Sequence, residues 1–60
     1  MESYRLFFLD EESHIQEVRI IEAEDDEAAR LEASRVFSNQ QKYRSAELWQ
    51  LKRRVALLHL

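Results

Sequence analysis

The chain contains no glycine, no proline and no cysteine. Without cysteine there is neither a disulfide framework nor a thiolate metal site. Without glycine there is no phosphate loop, no dinucleotide-binding turn and no G-x-S-x-G elbow, all of which need glycine's backbone freedom at fixed places. Average proteins use about 7% glycine and about 5% proline, so the turns here must be built from ordinary residues. Histidine is also scarce. His14 and His59 occur without an H-x-x-x-H or H-E-x-x-H spacing, and both are expected to be solvated or satisfied rather than metal-bound. Asp10, Glu11 and Glu12 cluster, yet lack the alternating oxygen ligands and the glycine of a calcium loop. The apolar runs Leu6 to Leu9 and Val55 to Leu58 fall far short of the roughly 20 residues that span a bilayer. Met1-Glu2-Ser3 places an acid where an export signal would carry bases. The expectation is a soluble cytoplasmic protein with no enzymatic activity, no cofactor and no membrane contact.

What is there is a chain of 60 residues, expected to form one small α+β domain over residues 1–60. A domain of this size buries only about 60% of its unfolded surface and is marginally stable. With the usual staples missing, oligomerisation is the expected substitute. Charge is uneven: residues 1–32 hold eleven acids and three bases, residues 33–60 one acid and six bases. In a small fold these halves lie against each other and partly cancel, so the asymmetry alone does not indicate a nucleic-acid face.

Tyr4-Arg5-Leu6-Phe7-Phe8-Leu9 alternates as a strand, with Tyr4, Leu6 and Phe8 on one side and Phe7 and Leu9 on the other. A three-residue loop, Glu11-Glu12-Ser13, sets Leu9 opposite Ile15, Leu6 opposite Val18 and Tyr4 opposite Ile20. An even loop would mix charge into both faces, and such conflicts fix register. The odd loop calls for a left-handed residue just before the second strand, where Ser13 stands. Glu24-Asp25-Asp26-Glu27 announces a helix, with Asp25 as N-cap, acids in the first turn and Asp26 paired with Arg30. Ala29, Ala33, Val36 and Phe37 form its apolar stripe, Leu31 lies nearly opposite, and Asn39 suits a left-handed stop. Ala46 to Gln50 and Val55 to Leu60 read as the last two strands. A four-residue loop, Leu51 to Arg54, is expected between them, because a two-residue turn demands positive φ at Leu51. Val55 and Leu57 then share a face with Leu48, and Ala56 and Leu58 share the other with Trp49.

The run Tyr4 to Asp10, then His14-Ile15, Glu24 to Ala29 and Ala46-Glu47-Leu48-Trp49-Gln50 resembles a group of very short, uncharacterised bacterial proteins, over nearly the whole chain. Glycine often stands in that group before the His and after the Trp-Gln, where this chain has Ser13 and Leu51. The resemblance implies a small ββαββ domain and no catalytic residues.

The expected fold is therefore ββαββ, a four-stranded antiparallel sheet with one helix packed on one face. Its expected core is Tyr4, Leu6, Phe8, Val18, Ile20, Ala29, Ala33, Val36, Phe37, Leu48, Val55 and Leu57. One helix covers one side of the sheet, so the expected function is protein–protein association, as a homodimer or with another protein, through Phe7, Leu9, Ile15, Ile21, Trp49 and Leu58. The alternative is a nucleic-acid-binding or regulatory protein that uses Lys52, Arg53 and Arg54 of the second hairpin.

Overall fold

In the computed structural model, which describes residues 1–59, the apolar opening run becomes an inner strand of the sheet. Strands β1 (Glu2–Leu9) and β2 (Ile15–Ala23) form the first hairpin, helix α1 spans Asp26–Ser38, and β3 (Ser45–Gln50) and β4 (Arg53–His59) form the second. This is the expected ββαββ arrangement. Leu60, assigned above to the last strand, lies outside the described residues. Sheet order is β2-β1-β3-β4. Because β2 and β3 are each antiparallel to β1, they are parallel to one another, and parallel strands need a crossover rather than a tight turn. Helix α1 lies in that crossover, and its Ala29, Ala33 and Phe37 join Tyr4, Leu6 and Phe8 of β1 in one buried cluster. No helix among the described residues is long and apolar enough to cross a membrane.

The helix starts where the acids place it. Asp25 is extended, and its side chain accepts the Ala28 N–H at 2.9 Å. Asp25→Ala is expected to cost about 1 kcal/mol, read as a lower urea midpoint. No loss at all would mean that the cap is idle. The other end differs from expectation: Asn39 is right-handed, with its N–H shared between the Arg35 and Val36 carbonyls. Gln40 closes the helix instead. Its side-chain N–H groups donate to the Phe37 and Tyr43 carbonyls, and its Oε1 accepts the Tyr43 N–H at 2.7 Å. The connection is thereby folded back, and the Tyr43 ring sits 5.6 Å from that of Phe8, which stacks on Phe37 at 6.3 Å.

Three expected core residues lie on the other face: Val18, Ile20 and Leu57 are 45%, 58% and 46% exposed. Buried Ile21, Ala23 and Ala46, with half-buried Ala56 and Leu58, pack on the helix side in their stead. Both hairpins err for the same reason. Leu9 pairs with Ile15 as expected, but Phe8 then pairs with Glu17, so Gln16 is an extra residue in β2 and every later side chain changes face. In β4, Leu48 pairs with Ala56 and Trp49 with Arg54, leaving Val55 as the extra residue. Asp10 braces the first irregularity, accepting the Glu12 and His14 N–H groups at 2.8 and 2.9 Å and the Gln16 amide at 3.0 Å. The His14 N–H, before the other donors, holds its carboxyl below the usual range.

Ser13 has φ 66°, the left-handed residue expected before β2. The second turn has two residues rather than the four expected, Leu51-Lys52, and Leu51 adopts the positive φ, 54°, that steric cost argues against. Its side chain is 95% exposed, so nothing visible in the packing offsets the strain. Leu51→Gly should therefore raise stability by about 1 kcal/mol, seen as a higher melting temperature. An unchanged or lower value would show that the turn is not strained.

Candidate functional site: the uncovered sheet face

Strand alternation leaves one face of the sheet without a helix. Cross-strand pairing arranges it in three rows: Ile20, Arg5, Trp49 and Arg54; Val18, Phe7, Glu47 and Leu57; Ile15, Leu9, Ser45 and His59. Phe7 and Trp49 are half-buried, Leu9 is buried among its neighbours, and Ile15, Val18, Ile20 and Leu57 are exposed. Of the six residues assigned to this surface from sequence, the fold brings Phe7, Leu9, Ile15 and Trp49 together. Ile21 and Leu58 do not belong to it. Ile21 is 4% exposed beneath the helix and Leu58 packs against the same core, because the extra residues Gln16 and Val55 turn them inward. Val18, Ile20 and Leu57 take their places. The doublets Ile20-Ile21 and Leu57-Leu58 were the available signal, since either member can face outward when a bulge intervenes.

Polar groups are interleaved with these side chains. The Trp49 indole N–H donates to Glu47 at 2.8 Å, and Arg54 approaches the same carboxylate at 3.8 Å. Arg5 and Arg54 flank Trp49 on either side, while Glu22 stands one row beyond Ile20. Positive and negative side chains are thus equal in number on this face, counting Arg5 and Arg54 against Glu22 and Glu47.

The three bases of the second hairpin do not form one surface. Arg53 turns to the helix side, where its guanidinium meets Asp26 at 2.7 and 3.0 Å. Arg54 turns to the open face and to Glu47, and Lys52 occupies the exposed turn. Asp26 does not choose Arg30, its helical neighbour, but Arg53 and the Tyr4 hydroxyl, which donates to it at 2.8 Å. The Arg53 bonds, then the Tyr4 bond, draw the Asp26 carboxyl down to about 2. Burial, reinforced by the bond to Asp26, pushes the Tyr4 hydroxyl up to about 12. The network continues from Arg53 to Gln50 and from Gln50 to Glu2, fastening the helix N-terminus across β1, β3 and β4. These contacts tie elements together and leave no unpaired group aimed at a ligand.

Histidines 14 and 59 lie at opposite edges of the sheet. Among the described residues there is no group of three or more His, Asp or Glu side chains arranged to hold a metal. An open concavity of about 850 Å³ beside the first turn mixes Asp10, Glu12, Lys42, Arg44 and His59, a lining of both signs with no convergent donor set. The uncovered face is the surface most distinct from an ordinary solvated exterior. No protein family, curated protein or solved structure matches the chain.

Proposed function

We propose that this protein is an association module that binds a second copy of itself through the uncovered sheet face. The observation that carries this reading is the contiguous set Phe7, Val18, Ile20, Trp49 and Leu57 on a face that no other element among the described residues overlies. Its balanced charges favour a copy as partner. A face of one sign would repel itself, whereas arginines and glutamates in equal number can pair with those of a copy and fix orientation. Shape agrees: the Cα atoms extend 31 by 23 Å and only 14 Å in depth, so the sheet forms one broad side of a thin slab against which a second slab can lie. Face-to-face packing of two sheets would interdigitate these side chains about 10 Å apart, with Phe7 and Trp49 as anchors.

Light scattering over a concentration series tests the reading. Self-association is expected by about 100 micromolar, with Phe7→Lys weakening it at least ~100-fold, the scale of an interface hot spot. A monomer at that concentration, or association unaffected by both Phe7→Lys and Trp49→Lys, would sink it.

A further inference from the structure

We infer that β4 is a second docking edge, at which antiparallel pairing with β4 of another copy continues the sheet to eight strands. This does not rest on face-to-face packing. The sheet has two edges, β2 and β4, and an edge strand presents a row of backbone N–H and C=O groups that can template another strand. The two edges are defended differently. On β2, Glu17 and Arg19 project on the helix side, paired at 3.0 Å, Glu22 projects on the other, and Gln16 interrupts the ladder. Charges and bulges of this kind discourage edge pairing. In β4 the charges Arg53 and Arg54 precede the extra residue Val55, and beyond it Ala56, Leu57 and Leu58 carry none. Ala56 and Leu58 are only half-buried, so their edge-facing flanks are open to a further strand.

Symmetry and charge select both the occupant and the register. A two-fold axis perpendicular to the sheet keeps both helices on one side, so opposed residues must share a face. Placing Leu57 opposite the copy's Leu57 pairs Ala56 with Leu58, sets the extra residue Val55 beside His59, and leaves both arginine pairs outside this stretch, at opposite ends. Moving the axis to Ala56 would set Arg54 against Leu58, and moving it to Leu58 would set Leu57 against His59 on both sides and leave Leu58 alone against itself. Ala56-Leu57-Leu58 is thus complementary to itself, three apolar pairs in succession, in one register.

The absence of native cysteine makes disulfide trapping free of background. Ala56→Cys and Leu58→Cys chains are mixed in equal amounts and oxidised gently. Opposed residues have Cβ atoms about 4.5–5.5 Å apart, so the mixed cross-link is expected about tenfold above either homodimer. Both positions lie on the helix side, out of reach of a copy stacked on the uncovered face. Amide exchange of the unmodified protein provides a second readout, with the outward N–H groups of β4 protected relative to those of β2. Statistical or absent cross-linking together with unprotected β4 amides would overturn the inference. Cross-linking that persists in a Phe7→Lys background separates the two surfaces: it upholds the edge even if face packing fails.

Discussion

Phe8→Ala is expected to leave the chain largely unfolded at room temperature. Phe8 is among the largest fully buried side chains, and its ring contacts Phe37 of the helix and Tyr43 of the connection. Truncating such a residue costs about 3–5 kcal/mol through lost transfer energy and the cavity left behind. A core of this size supplies only about 3–5 kcal/mol in total, so a single substitution exhausts the margin. Loss of the cooperative thermal transition in circular dichroism is the readout. Leu31→Ala, at an exposed position on the outer helix face, provides the control and should shift stability by less than about 0.5 kcal/mol. A cooperative transition retained within a few degrees of the original in Phe8→Ala would show that the core does not depend on the contacts of this ring with Phe37 and Tyr43.

The second large effect concerns Asp26. One carboxylate joins the helix to β1 through Tyr4 and to β4 through Arg53, so Asp26→Ala should lower the melting temperature more than removal of the neighbouring cap does. The reason is tertiary, not a shifted helix start. The titration gives an independent check. Asp26 holds its proton less tightly folded, at about 2, than at the ordinary 3.8. Its contribution is therefore complete above pH 4 and is lost as pH falls from there toward 2. Tyr4 behaves in the opposite sense, raised from 10.0 to about 12, so its contribution is complete below pH 10 and is lost as pH climbs toward 12. Asp26→Asn should flatten the acid limb and shrink the alkaline one. Glu32, held low by Arg35, and Asp10, held low chiefly by the His14 N–H, preserve a remainder of the acid limb. If the acid limb of Asp26→Asn matches that of the unaltered protein, the three bonds carry no stability.

Element types were legible in the sequence because the local signals agreed with one another: alternation in β1, four acids before an alanine-rich stripe, and a cap side chain at Asp25. Faces were legible only as far as each first irregularity. Past Gln16 and past Val55 one extra residue inverts the alternation, and Ile20-Ile21 and Leu57-Leu58 offer an apolar side chain to the core either way, so patterning could not detect the change. The two-residue second turn was not legible because the steric cost of positive φ at Leu51 opposes the gain from a short ladder-closing turn, and only the folded ladder shows which of the two prevails. The uncovered face itself was foreseeable from the count of one helix against a strand apolar on both sides. Three of its members, Val18, Ile20 and Leu57, were not, since they depend on bulges that only tertiary context selects.

The inner position of β1 bears on how the chain reaches this state. Arg5 to Leu9 must find Ser45 to Trp49, about forty residues away, before the sheet gains its centre, and closing so long a loop is slow compared with forming either hairpin. Until then β1 offers an unpaired edge rich in aromatic side chains. The interval before β3 docks is accordingly when the protein is most open to misassembly on the ribosome or after dilution from denaturant. Substitutions that weaken the pairing of β1 with β3 should slow folding before they measurably alter the finished structure.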